Sequence, residues 1–284
     1  MHIPVRGNST LLKRRFLPRE GESPALEVIE VETGADKDAP PILCVHGASG
    51  GAWMWEKFLQ VLAARGRRAS AISVRGHGQS EGHSAIQSAT LEDYICDLLR
   101  ALAEFDESPI LVAHSLGSLL VQRLLGRVRM QALVLIAPLP PEGMFLLSPR
   151  LIAMKPSSWC EGINMVLGGE PPVLGSLKDL IFSERFTSAE INWCTERMVA
   201  ESARALMEAH VPQLVTPAFL AAVPTMIIGG ELDRLVPADF VWRTAIYHGG
   251  HYVTAEGFGH LLHVEPGGEE IACLTIDWLE KRGL

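Results

Sequence analysis

Several things are scarce in this sequence, and each scarcity excludes a class. No stretch approaches the roughly 18–20 uncharged apolar residues of a membrane-spanning helix, so no membrane span is expected. Cysteine is sparse: Cys44, Cys96, Cys160, Cys194 and Cys273 are scattered, odd in number and without a C-x-x-C pair. That excludes a disulfide scaffold and fits reduced thiols in a cytoplasmic protein. The opening residues, Met1-His2-Ile3-Pro4-Val5-Arg6-Gly7-Asn8, have neither the charged start nor the apolar core of a secretory signal. Basic charge is in deficit, with 25 Lys and Arg against 33 Asp and Glu, and no cationic cluster tracks a helix face. Nucleic acid is therefore not an expected partner. The ten histidines form no H-E-x-x-H and no Cys/His pair at zinc spacing, so no metal is expected. Gly76 and Gly78 lack the third glycine of a dinucleotide fingerprint, and nothing calls for a cofactor. Repeats and low-complexity tracts are missing, and no signature of an oligomeric state stands out.

What is present is a chain of 284 residues, 48% apolar and 20% charged, with a net charge of −8. It suits one large folded domain, or one domain carrying an insertion. Short apolar runs at 11–16, 26–31, 41–45, 69–74, 109–113, 132–137, 224–228 and 251–255 read as strands. Helical spacing at 52–65, from Thr90, at 119–125, 238–247 and 268–282 alternates with them. The implied fold class is α/β: a mostly parallel sheet with helices on both faces. The rhythm breaks after Pro138, where proline punctuates the chain and the clearest helix starts at the capping box Thr187-Ser188-Ala189-Glu190. The division expected is a core of 1–138 and 216–284 with a helical insertion at 139–215.

The strongest local signal is Val112-Ala113-His114-Ser115-Leu116-Gly117-Ser118. A serine between a buried strand and a helix, with small residues two positions away on either side, is what a strained nucleophile elbow requires. Ala113 stands where the usual G-x-S-x-G pattern has its first glycine. The plainer alternative is an ordinary N-cap serine. A serine hydroxyl needs a histidine to take its proton and an acid to orient that histidine. Gly230-Glu231-Leu232-Asp233 follows one buried strand and Gly259-His260 follows the last, so all three groups lie past carboxyl ends of strands.

This constellation resembles the α/β-hydrolase superfamily. The resemblance rests on His46-Gly47, Gly76-His77-Gly78-Gln79-Ser80, the Ser115 elbow, Asp233 with Val236-Pro237, and Gly259-His260 with Glu265-Pro266, in family order. The stretch from His46 to Trp53 is similar to the opening of the esterase and hydroxynitrile-lyase branch. The resemblance implies Ser115, Asp233 and His260 as the catalytic set, backbone amides of Ala48 and Leu116 as the oxyanion hole, and 139–215 as a cap. It implies a serine hydrolase cleaving a carboxylic ester, or a thioester or amide, of a small apolar substrate through an acyl-enzyme. Kept beside this are a lyase, a C–C hydrolase or a cofactor-free dioxygenase using the same triad, and a slow-turnover ligand-binding member. Epoxide hydrolases and haloalkane dehalogenases use Asp where Ser115 stands.

Other candidates read as supporting groups. His46 and His77 suit loop-fixing hydrogen bonds, His114 the packing of the elbow, and His263 the lining of a pocket. Glu142 is the second choice of acid and Asp239 a weaker one. Asp106 and Glu107 read as solvated loop charges, and Arg185 and Arg197 as a solvated helix face. The insertion is rich in large apolar residues, among them Phe145, Trp159, Phe182, Phe186, Trp193, Met198 and Met207. Most must be its core; Trp193 and Met198, both on the capped helix, are the expected substrate-pocket wall.

Overall fold

The structure is a computed structural model that describes residues 12–31, 39–154 and 178–284, with 156, 157 and 160 in addition. The strands are β1 (Leu12–Leu17), β2 (Leu26–Val31), β3 (Ile42–Val45), β4 (Ala69–Ile72), β5 (Ile110–His114), β6 (Ala132–Ile136), β7 (Thr225–Gly230) and β8 (His251–Ala255). They form one sheet in the order β1-β2-β4-β3-β5-β6-β7-β8. The pairs β1/β2 and β2/β4 are antiparallel, and every other neighbouring pair is parallel. Each expected strand is present, shifted by a residue or so at its ends.

Every residue of β3, β5 and β6 is buried, as strands covered on both faces must be. Because side chains alternate across a strand, Ile42, Cys44, Ile110 and Val112 enter one core layer while Leu43, Val45, Leu111 and Ala113 enter the other. The first layer is covered by α1 (Glu56–Ala64) and α9 (Glu269–Glu280), through Phe58, Leu59, Leu62, Ile271 and Ile276. The second is covered by α2 (Leu91–Leu102), α3 (Ser115–Gln122) and α8 (Ala238–His248), through Leu98, Leu119 and Val241. The α2 stripe starts at a true capping box, in which Thr90 accepts from the Asp93 amide and Asp93 accepts from that of Thr90, both at 2.9 Å.

Two expectations shift. The helix expected at 119–125 begins four residues earlier, at Ser115, because the chain passes from β5 into α3 without a connecting loop. The stretch expected as one helix at 52–65 opens as a 3-10 turn at Ala52–Trp55, where the Met54 amide reaches back to the Gly51 carbonyl, before becoming α1.

Between β6 and β7 the described residues contain no strand and supply α4 (Leu147–Met154), α5 (Lys178–Ile181), α6 (Ser188–Thr195) and α7 (Ala203–Ala209). The expected capping box opens α6, with Thr187 accepting from the Glu190 amide at 3.3 Å. Phe182, Phe186, Ile191, Cys194 and Met198 bury with one core layer and Leu147, Leu151, Ala205 and Ala209 with the other. Trp159 lies outside the described residues. Phe145 and Met207 are exposed. No helix among the described residues is long and apolar enough to cross a membrane.

Candidate active site

Ser115 ends the strand and starts the helix at once. Its φ of 49° lies in the left-handed region that side chains avoid, a strain that surrounding contacts must hold in place. The N-cap position belongs to His114, whose side chain does not cap, so Ser115 is not a capping serine. Close packing explains the small flanking residues. Ala113 is fully buried, and a Cβ at Gly117 would run into the His46 carbonyl oxygen. Only glycine fits there.

The sharp turn aims the serine at the ends of β7 and β8. His260 Nε2 lies 3.0 Å from Ser115 Oγ, and His260 Nδ1 lies 2.8 Å from Asp233 Oδ2. The other carboxylate oxygen, Asp233 Oδ1, accepts the amides of Leu235 at 2.9 Å and Val236 at 2.8 Å. The turn therefore orients the Asp233 carboxylate, which in turn holds the His260 ring. All three side chains are buried. The three residues singled out in sequence, separated by up to 145 positions, form one continuous hydrogen-bonded chain.

The loop after β3 abuts this chain. A Cβ on Gly47 would lie 2.7 Å from His114 Nδ1 and 2.9 Å from Ser115 Cβ. Ala48 follows Gly47, and Leu116 stands in the first turn of α3, where amides have no acceptor within the helix. Among the described residues neither the Ala48 nor the Leu116 amide donates to a protein group.

The remaining histidines do other work. His46 Nε2 accepts the Val74 amide at 3.1 Å while its Nδ1 faces the Gly47 carbonyl at 2.8 Å. Burial, and then the neighbouring His77, push its pKa down to about 3. His114 donates from Nε2 to the His260 carbonyl at 3.0 Å, with its ring 4.9 Å from that of His260. Burial, then His263 and His260, hold it well below the usual range. His263 is not on a pocket wall. It is fully buried, stacked 4.3 Å from Trp55 and 4.5 Å from His114, and neither ring nitrogen has a partner among the described residues. The second-choice acids are engaged elsewhere: Glu142 pairs with Arg243 at 2.9 Å and Asp239 with Arg150 at 2.6 Å. Glu107 pairs with Arg68.

A cavity of about 610 Å³ opens beside His260 and Gly259, walled by Leu180, Phe182, Phe186, Ile191 and Leu232, with Lys178 and Arg234 also facing it. Trp193 and Met198 are not among its lining residues. Trp193 is half-exposed, set edge-on to Trp53 at 5.3 Å, with the Arg197 guanidinium 4.3 Å above its ring. Met198 lies past the end of α6, which stops at Thr195, and is buried among core residues. Arg185 lies 4.0 Å over the Phe258 ring. A second cavity, of about 630 Å³, is lined by 126–131 and 221–223 at the opposite ends of the strands, away from Ser115.

Two of the other buried carboxylates, Glu265 and Glu201, bear directly on the loops of the site. Glu265 Oε1 accepts the Gly259 amide at 2.8 Å and Oε2 accepts the Ser183 hydroxyl, which ties down the turn carrying His260. Burial raises its pKa. Glu265 belongs to the Gly259–Pro266 pattern of the sequence, but nothing in that pattern names its partners. Glu201 accepts four hydrogen bonds, from the Ser49 amide, His77 Nε2, the Tyr94 hydroxyl of α2 and the neighbouring Ser202 amide. Nothing in Val199-Ala200-Glu201-Ser202 distinguishes it from a solvated charge before a helix.

Comparison with known proteins fits this geometry. The family model described as "Alpha/beta hydrolase family" matches residues 42–272. The chain belongs to the α/β-hydrolase family. Among relatives of this α/β hydrolase is a protein named putative non-heme chloroperoxidase from Synechocystis sp., 28% identical over 238 residues, covering 76% of this chain and 81% of the relative. Methylesterase 3 of Arabidopsis thaliana is 36% identical over 80 residues, 28% of this chain and 30% of that one. Among solved structures, a carboxylesterase from Bacillus subtilis superposes with a TM-score of 0.69 at 17% identity, covering 95% of this chain and 92% of that one. An esterase from Thermogutta terrifontis has the same TM-score at 19% identity, covering 95% and 98%. At such identities the likeness shows the fold.

Proposed function

We propose that this α/β hydrolase is a serine esterase that cleaves a carboxylic ester of a small, largely apolar substrate. The observation that carries the reading is the position of His260, hydrogen-bonded at once to Ser115 on a strained elbow and to Asp233. His260 Nε2 takes the hydroxyl proton as Ser115 Oγ bonds to the carbonyl carbon, and the carbonyl π pair moves onto oxygen. The unengaged amides of Ala48 and Leu116 receive that oxyanion. The oxyanion then collapses, the alkoxide departs with the proton held by His260, and an acyl-Ser115 ester remains. Water, deprotonated by His260, cleaves that ester through the same steps and returns Ser115. Asp233 holds the imidazole in one tautomer and offsets its charge.

The segment 139–215 then acts as a cap, and the cavity walled by Phe182, Phe186 and Ile191 is the apolar space available beside the base. The named relatives include methylesterases, in line with an ester substrate.

Labelling with a fluorophosphonate, followed by turnover of 4-nitrophenyl esters of graded acyl length, tests the reading. The wild type should be labelled and active, and Ser115→Ala should lose labelling and roughly 10³-fold or more of turnover while staying folded. Equal labelling of both proteins would overturn the assignment of the nucleophile. Labelling without turnover of any ester would overturn the substrate class.

A further inference from the structure

We propose that Glu201, contributed by the helical segment between β6 and β7, is a positioning residue for the oxyanion hole, clamping the loop that presents the Ala48 amide. The inference rests on the esterase reading above for the meaning of that amide.

Ser49, the residue after Ala48, has a φ of 60°, a strained value for a side-chain-bearing residue. It is gripped at both ends from one short segment. Its amide donates to Glu201 Oε2 at 3.0 Å, and its carbonyl accepts the Val199 amide at 3.1 Å. Glycines stand on both sides of the Ala48–Ser49 pair, at Gly47 and Gly50, so the backbone itself offers little resistance to turning. The Gly47 carbonyl, on the peptide that carries the Ala48 amide, is held by His46 Nδ1 at 2.8 Å and the Gly50 amide at 3.3 Å, and the segment 199–201 holds the next residue, Ser49, at both its amide and its carbonyl.

Glu201 is fully engaged in doing so. Oε2 accepts from Ser49 and from His77 Nε2 at 3.1 Å, and Oε1 accepts from the Tyr94 hydroxyl at 2.6 Å and the Ser202 amide at 2.8 Å. The carboxylate, His77 and Tyr94 are all buried, so an N–H left without its partner there is not rescued by water. His77 Nδ1 faces the Arg75 carbonyl at 3.0 Å. Both of its ring nitrogens thus face acceptors, which favours the imidazolium form. Burial opposes that charge, but the charge and hydrogen bond of Glu201 outweigh it and raise the His77 pKa. Burial likewise opposes the Glu201 carboxylate, and His77, Tyr94 and Ser202 together hold its pKa at about 2. The Glu201 carboxylate joins three separate places in the chain, Ser49, His77 and Tyr94, to its own neighbour Ser202, and Ser49 is the one next to the Ala48 amide.

The test is Glu201→Gln, which keeps size and most of the network. His77 can become neutral and accept from the new NH2 group, but whichever way the amide sits, either Ser49 or Ser202 faces a donor instead of an acceptor. The protein should show kcat for 4-nitrophenyl butyrate roughly 10- to 100-fold lower, with KM changed far less. Inhibition by a trifluoromethyl ketone, whose hemiketal oxyanion occupies the hole, should weaken by a similar factor. Hydrogen exchange of the peptide spanning 46–51, followed by mass spectrometry, should speed up at least tenfold while that of α1 does not. A lowered Tm with kcat, inhibitor affinity and exchange unchanged would make Glu201 a strut only and overturn the proposal. Failure of the esterase reading is seen separately, as inactivity of the wild type; the exchange measurement then decides the clamp by itself. If Glu201→Gln does not fold, Glu201→Asp retains the charge but withdraws the carboxylate by one methylene, and the same pattern is expected.

Discussion

Glu265 holds the backbone of Gly259: the buried carboxylate accepts the glycine amide at 2.8 Å, immediately before His260. The same carboxylate takes the Ser183 hydroxyl from the segment between β6 and β7. Glu265→Leu should strand both donors, at roughly 1–3 kcal/mol each, and lower kcat about tenfold or more by freeing the His260 turn. Glu265→Gln retains an acceptor for Gly259 and should recover most of that kcat. Urea denaturation and ester kinetics on both variants check this. Equal loss in both would mean that the charge, not the acceptor, matters.

Asp233→Asn separates orientation from folding. Asparagine keeps an oxygen for the Leu235 and Val236 amides, so Tm should move by only a few degrees. Its NH2 group would face His260 Nδ1 and impose the wrong tautomer, and kcat should fall roughly 10³- to 10⁴-fold. Retention of kcat within tenfold would point to another acid.

His263 gives a pH prediction. Burial, and then the adjacent His260, depress its pKa to about 3, below the 6.5 expected of the unfolded chain. A depressed histidine contributes stability that is present above pH 6.5 and lost as pH falls toward 3, because only the unfolded chain takes up the proton. The loss is about 1.4 kcal/mol per pH unit. Between pH 8 and pH 5, His263→Leu should therefore lose about 2 kcal/mol less stability than the wild type. His46 and His114, depressed in the same direction, remain in both proteins. Parallel losses in urea titrations at the two pH values would show that His263 titrates normally.

Met198 and Phe186 separate core from pocket. Met198 is buried away from the cavity beside His260, whereas Phe186 lines it. Met198→Ala should cost about 2–5 kcal/mol and leave the kcat/KM ratio between butyrate and octanoate esters unchanged. Phe186→Ala should shift that ratio toward the longer ester, in graded steps along the series. A shift in the Met198 variant alone would return Met198 to the pocket wall.

The α/β architecture was legible because its signal is local. Fully apolar runs at 41–45, 109–113 and 132–137 have room for nothing but strands covered on both sides, and the turns at their ends carry the small residues a sharp bend needs. Ser115 is legible for the same reason, while Asp233 and His260 stand in turns three and five residues past the ends of β7 and β8. The start of α3 at Ser115 was missed because a helix nucleated by a strained residue carries no ordinary cap. Trp193 and Met198 were chosen from helical position alone, and position on a helix does not say which neighbour a side chain meets. Glu201 and Glu265 escaped because a buried carboxylate and a solvated one are the same letter. What separates them is the set of donors around them, and those donors come from residues as far as 152 positions away. Local sequence determined where the chain turns and which groups stand at the turns. Only the packing of distant segments decided which charges lost their water, and so which of them hold the site in shape.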